Sequence, residues 1–488
     1  MQRRTLFSLM AAAFLISCIG SASASDIKSL MDQVPPGANV VMVIDVKRTA
    51  ATPMALKNGW QDRLNSKTAD RPMYIPPEAD KAVIAVQADL VRGFERKWEV
   101  AYLSMSEQIP MRLIARAEGG YVDQINGKEA AWVPSDAYIV QVTPEILGVL
   151  APADRQAISR WAEKSPAATR GGVSDFLKHA AEAVTNGPQI VLAVDAEGAT
   201  QVHRIREMLK TSEVITKHKL DVTATTGLLT GLRGATLEIT IGEDAKGVAR
   251  IEFTDQVTLN DAAAKDLILA AVDSMQMSVP GLETWKCTVS GRTITLDGNM
   301  TMDGLRRALS IAELPSSKFS SLKDENTETS SADDIAKASL TYYKTIESLL
   351  KDLKGQSKSS STDAFWIDRY ATKIDKLPIL HVDDELLEYG QKLTETLRVM
   401  SGSRKQTNLE GGQAARAAKA NGGIYYGDTG YGYGYYNYSN RSREADAANA
   451  RSYAAAEGTS VKTQGWNLID NATTEIRQQM TKRYNIEF

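Results

Sequence analysis

ANVVMVIDV, residues 38–46, and PQIVLAVDA, residues 188–196, are two versions of one short pattern. Each is an apolar run that closes on an aspartate, Asp45 and Asp195, and those aspartates stand 150 residues apart. Short apolar runs bounded by turn residues predict buried strands. A helix-like piece precedes each one, and this recurrence suggests that the segment from Asp26 to about Glu313 contains one pattern twice.

Outward from these strands the halves keep step. A helix is expected after each, then two alternating strands: KAVIAVQAD (81–89) and KWEVAYLSM (97–105), against GATLEITIG (234–242) and GVARIEFTD (247–255). A helix follows over 109–117 in the first half and in DAAAKDLILAAVDSM (261–275) in the second, where Leu267, Ala270, Ala271 and Ser274 share a face. Next comes a hairpin signal, Asn126-Gly127 within YVDQINGKEAAWV and Ser290-Gly291 within WKCTVSGRTITL. Glycine supplies the positive φ that two-residue turns require. Both halves close on a helix, PADRQAISRWAE and MDGLRRALSIAE.

The order strand, helix, two strands, helix, strand is that of the split βαβ or ferredoxin-like arrangement. The expected fold is therefore α+β: two tandem ferredoxin-like units, 26–165 and 170–314, then an all-α C-terminal region. The alternative is that the halves are unrelated, because approximate repeats also arise in any α+β chain.

Past a serine-rich linker at 315–332, residues 333–488 read as helical. Leu340, Tyr343, Ile346, Leu350 and Leu353 form one apolar stripe that stops near Gly355. Another helix starts at Val382-Asp383-Asp384, whose acids suit a helix N-terminus, and buries Leu386, Leu387, Leu393, Leu397 and Met400. The tail from Arg441 is also helical in composition, with breaks expected at Gly458 and Gly465 because glycine costs about 1 kcal/mol against alanine in a helix. Between these segments, 422–440 reads GGIYYGDTGYGYGYYNYSN, with Tyr425, Tyr426, Tyr431, Tyr433, Tyr435, Tyr436 and Tyr438 alternating with glycines that oppose fixed ring positions. A disordered, surface-exposed inter-helix loop is expected there, with tyrosine contacts to a partner or another copy as the alternative.

The first residues read as an export signal: MQRR is basic, Leu6 to Ile19 is apolar, and Ala22-Ser23-Ala24 offers a cleavage site near Ala24. Leu15-Ile16-Ser17-Cys18 resembles a lipobox, so lipid anchoring through Cys18 is the alternative, and Arg3-Arg4 leaves twin-arginine export open beside the general route. The apolar run is shorter than the ~20 residues of a spanning helix, and no transmembrane segment is expected in the mature chain. Loss of the signal shifts the formal charge from −3 to −5, which gives no electrostatic case for nucleic acid. Cys287 would then stand alone.

Chemistry is thinly represented. The histidines are His179, His203, His218 and His381, with no HExxH or CxxC, so no metal or cofactor site is expected. Acids after His381 read as helix capping. Ser320-Ser321-Leu322-Lys323 falls in the polar linker, where nothing would hold the lysine neutral. Gly120 to Lys128 and Gly227, Gly231, Gly234 miss the phosphate-loop spacings. No catalytic residue is assigned. Asp45 and Asp195 form the one weak candidate pair, since ligand sites gather at strand ends and two acids related by pseudo-symmetry could share a proton or cation. The expected function is a non-enzymatic binding or scaffolding protein of the periplasm or envelope, acting on an envelope partner or on itself. The alternatives are an exported hydrolase with a carboxylate site between the halves and a self-assembling envelope component.

Overall fold

The computed structural model describes residues 27–60, 78–90, 94–118, 120–133, 136–163, 172–210, 212–274, 279–312, 332–355, 364–375, 377, 382–420 and 440–488. They fall into two compact units, one holding every strand and one holding the C-terminal helices.

The strand unit is built on a single 12-stranded sheet. Its strands are β1 (Val40–Asp45), β2 (Ala79–Asp89), β3 (Glu95–Met105), β4 (Tyr121–Ile125), β5 (Lys128–Val133), β6 (Ala137–Thr143), β7 (Ile146–Ala151), β8 (Ile190–Asp195), β9 (Leu232–Ile241), β10 (Ala245–Phe253), β11 (Lys286–Ser290) and β12 (Thr293–Met300). The helices beside them are α1 (Val46–Ala50), α2 (Pro53–Lys57), α3 (Met111–Glu118), α4 (Arg155–Glu163), α5 (Asp175–Glu182), α6 (Val202–Lys210), α7 (Glu213–His218), α8 (Val222–Thr230), α9 (Asp261–Ser274) and α10 (Met302–Leu309). Across the sheet the order is β11-β12-β10-β9-β8-β1-β2-β3-β7-β6-β5-β4, every neighbouring pair antiparallel.

The α+β class holds, but the tandem ferredoxin-like arrangement does not. That arrangement needs the first helix to carry the chain across the sheet to a strand parallel with the first. Here α1 and α2 return the chain to the end it left, and β2 pairs directly with β1, as β9 does with β8. A split unit does occur, one step later in each half. The chain crosses from β10 through α9 to β11, and β12 fills the slot between them; β3, α3, β6 and β7 repeat the plan, with β4 and β5 added outside. From the seam outward each half thus runs first, second, third, last and penultimate strand, and among the described residues only the first half carries a further hairpin.

The seam explains why VVMVI and IVLAV are continuous apolar runs. All six residues of β1 are buried, because both faces of the sheet are covered there. Val40, Met42 and Ile44 enter one core with residues of α3, α9 and α10, while Val41 and Val43 enter the other with Leu177 and Ala181 of α5 and Ile27 and Leu30 of a short helix over 27–31. A smaller cluster, Leu209, Val214 and Leu267, holds α6, α7 and α9 together.

In the helical unit, α11 (Ala332–Gly355), α12 (Ala364–Asp375), α13 (Asp384–Ala420) and α14 (Asn440–Tyr484) bury the expected stripes, including Tyr343, Ile346, Leu350 and Leu353, then Leu386, Leu393, Leu397 and Met400. The breaks expected at Gly458 and Gly465 are not there: α14 is one helix of 45 residues. Tertiary packing overrides the propensity cost, because a Cβ on Gly465 would lie 2.4 Å from Met400 Sδ, so glycine is what lets α13 and α14 approach. Among the described residues, no helix is long and apolar enough to cross a membrane.

Candidate functional site

The seam comes first, because both candidate aspartates flank it. β1 and β8 pair as Val40 with Val194, Val41 with Ala193, Met42 with Leu192, Val43 with Val191 and Ile44 with Ile190. Every residue faces the 150-residue counterpart of the one its own counterpart faces, and Met42 faces its own counterpart. This is the register of a symmetric twofold contact, in which residue i meets j and j meets i. Flanking hydrogen bonds obey it: Asp45 N–H donates to Gln189 O and Asp195 N–H to Asn39 O, both at 2.8 Å.

Side chains follow the same rule. The Asn39 amide clasps Ala88, donating to its carbonyl and accepting from its N–H at 2.8 Å each. At the matching position the Gln189 amide clasps Ile241, at 3.0 and 2.9 Å. Gly37 and Gly187, two residues upstream, both hold positive φ, +93° and +144°.

That geometry separates Asp45 from Asp195 instead of joining them. They end antiparallel neighbours, so they sit at opposite ends of the seam, about 20 Å apart at ~3.4 Å per residue. Each has a local task. Asp45 caps α1, accepting from Arg48 N at 3.0 Å, while the Arg48 guanidinium reaches across the seam to Val184 O and Gly187 O at 3.1 and 2.7 Å. Asp195 accepts from Glu197 N at 3.0 Å in the turn after β8. A shared proton or cation between the two is ruled out by this distance, and a carboxylate site between the halves loses its basis.

A different constellation stands at the outer end of the first half. In the β4–β5 hairpin, Asn126 and Gly127 adopt positive φ, +52° and +75°, and pair Ile125 with Lys128, which places Tyr121 opposite Trp132. The two rings stack, centroids 5.3 Å apart at 22° between planes, and Tyr121 remains 55% exposed. Trp132 also faces Tyr138 on β6, whose hydroxyl donates to Asp123 Oδ2 at 3.2 Å. Arg155 of α4 holds both Asp123 oxygens, Nε at 2.8 Å and Nη2 at 3.3 Å. Hydrogen bonding from Arg155 keeps the Asp123 carboxyl below its ordinary range, while burial and then the Tyr121 hydroxyl push the Tyr138 phenol up. Trp98 and Trp161 meet edge to face at 5.7 Å on the partly buried rim of the same core.

This cluster is not among the residues the sequence singles out, though the hairpin expected at Asn126-Gly127 contains the signal. A two-residue turn at Asn126-Gly127 fixes the pairing of Tyr121 with Trp132 by counting alone. The second hairpin corrects the expected turn: Gly291 and Arg292 are its central residues, since Ser290 pairs with Thr293, and Gly291 has φ +57°.

In the helical unit Asp383 has a structural task. Its Oδ1 accepts from Glu385 N at 2.9 Å, and its Oδ2 accepts from Arg483 Nη1 at 2.7 Å and Tyr484 OH at 2.5 Å. Burial pushes this carboxyl up, but the bonds from Tyr484, Arg483 and Glu385 together outweigh it and hold the group below its ordinary value. Among the described residues, no group of three or more His, Cys, Asp and Glu side chains converges as a metal would require. Cys287 is buried, which raises its thiol pKa. Cys18, the 1–24 segment, most of the 315–332 linker and the tyrosines from Tyr425 to Tyr438 lie outside the described residues.

No family model and no curated protein matches this chain. Among solved structures, crystal forms I and III of TP0453 are similar at 13% and 14% identity over 58% of this chain and 97% and 96% of theirs, with TM-scores of 0.36 and 0.35.

Proposed function

We propose that this chain is an exported, non-enzymatic binding or scaffolding protein of the periplasm or cell envelope, whose contact surface is the aromatic end of its sheet. One observation carries the proposal: among the described residues the β4–β5 hairpin is the pair of strands in the first half without a counterpart in the second, and it presents Tyr121 and Trp132 beside Arg155. Tyrosine, tryptophan and arginine are the residue types that concentrate binding energy at protein interfaces. The rest of the sheet supports the hairpin as a rigid frame, which lowers the ordering cost of contact. We further infer that the halves descend from one unit by duplication, on the strength of the symmetric seam. Export rests on the basic and apolar N-terminal segment, with retention through a lipidated Cys18 as the other route to the envelope.

The test is in-cell cross-linking of the full-length protein, with captured envelope proteins quantified for wild type and Tyr121→Ala. Tyr121 is more than half exposed, so folding should change little. Capture of the principal partner is expected to fall about tenfold or more, as for an interface hot spot. An unchanged partner profile in Tyr121→Ala would remove this surface from consideration.

A further inference from the structure

Among the described residues the sheet ends in two strands with one side unpaired by any other strand, β4 and β11. Such edges are templates for strand addition. In two-residue hairpins the residues flanking the turn are the hydrogen-bonded pair, so outward groups belong to alternate residues: Gln124 and Val122 on β4, Val289 and Cys287 on β11.

On both strands the outward residue next to the turn is already occupied. Gln124 N–H donates to Asp123 Oδ1 at 2.7 Å, and Gln124 O accepts from Arg155 Nη2 at 2.9 Å. Ser159, also on α4, exchanges hydrogen bonds with Asn126 in the turn, which holds that helix along the edge. At the far end, Val289 N–H donates to Asp261 Oδ1 at 2.8 Å, from the first residue of α9. Unrelated elements in the two halves thus deliver side chains to the same position of each edge strand.

We infer that Asp123 with Arg155, and Asp261, are edge locks that keep a second copy of this chain from extending the sheet. The occupant is a second copy because edge pairing between like halves is what this chain already does at the seam, where β1 and β8 join in a twofold register. The inner edge of each half is consumed by that pairing, so only the locked outer edges remain.

The experiment uses the full-length protein in three sets: Asp123→Ala with Arg155→Ala, the same pair with Val122→Pro added, and Asp261→Ala beside Asp261→Asn. Light scattering across a concentration series gives the mass, hydrogen exchange reports the Gln124 and Val289 amides, and circular dichroism confirms folding. At low concentration, where the variants are monomeric, opened edges should lose amide protection at least tenfold, and mass should rise with concentration to twice the wild-type value or more. Proline at Val122 offers no outward N–H and should return the mass to wild type. Asp261→Asn keeps an acceptor and should behave as wild type. Folded alanine variants that keep the wild-type mass, or an added proline that fails to lower it, would overturn the inference. Should one alanine set fail to fold, the other tests the same claim at the opposite edge.

Discussion

Replacing Gln189 by methionine keeps its length and volume while removing both arms of its clasp on Ile241. Gln189 is 8% exposed and Ile241 3%, so water cannot substitute for either bond. The Ile241 N–H and C=O, bonded at 2.9 and 3.0 Å in the wild type, would both be stranded. A buried polar group left without a partner costs about 1–3 kcal/mol, and the thioether recovers roughly 1 kcal/mol by burial. The expected net loss is about 2–4 kcal/mol. In a unit of this size each kcal/mol corresponds to roughly 2–4 °C, so the sheet transition should fall by roughly 5–15 °C in calorimetry of the full-length protein. Hydrogen exchange at the Ile241 amide identifies the transition and should accelerate in step. Asn39→Leu, which breaks the equivalent clasp on Ala88, should cost a similar amount, and the two losses should add because the sites lie at opposite ends of the seam. A fall below about 2 °C for Gln189→Met, with Ile241 exchange unchanged, would refute the idea that these amides secure the seam.

Two further outcomes concern the helical unit. A Cβ at Gly390 would lie 2.1 Å from the Tyr342 hydroxyl oxygen and 3.1 Å from its Cζ, so Gly390→Leu should destabilise that unit by about 1–3 kcal/mol in urea titration despite leucine's better helix propensity; a stabilised variant would contradict the packing. Asp383→Ala removes a helix cap and two charge-assisted bonds, one from a half-exposed arginine, for about 2–3 kcal/mol at neutral pH. Because the folded-state pKa of Asp383 lies below the ordinary 3.8, its contribution is present above that value and is lost as pH falls through the folded value, so the gap between wild type and variant should close in that window; a gap of equal size at neutral and strongly acidic pH would contradict the assignment.

Much of the strand content was legible because burial imposes local patterns. The runs at 40–45 and 190–195, the hairpin at Asn126-Gly127 and the stripe ending at Gly355 each follow from periodicity or turn chemistry within a dozen residues. The β6–β7 hairpin is equally legible in AYIVQVT and ILGVLA, separated by Pro144-Glu145, but the expected order of elements leaves it out. That omission hid the true counterpart of β11–β12 and gave its place to β4–β5. Pairing partners beyond the hairpins were not legible. Nothing local distinguishes a helix that crosses a sheet from short helices that turn back, so a helix expected after β1 fits either course. The aromatic cluster needed only the hairpin register, whereas Arg155 reaches Asp123 across 32 residues and belongs to no local pattern.

The separation of Asp45 from Asp195 follows from the same symmetry that first made them a pair. Two equivalent strands can face each other in parallel, which would place like ends together, or about a twofold axis, which places them apart. Only the twofold arrangement lets each strand donate and accept at equivalent positions of its counterpart, and only a closed contact of that kind uses up both inner edges. Twofold pairing of two like strands therefore has a general consequence: equivalent residues at the ends of the paired strands are driven to opposite ends, and residues near the axis are brought together. Along this seam the residues at the axis are Met42 and Leu192, both buried and apolar, so the middle of the joint is core. Function has to be sought where the halves differ, and the difference in their strand plan is the hairpin that carries Tyr121 and the outward groups of Val122 and Gln124.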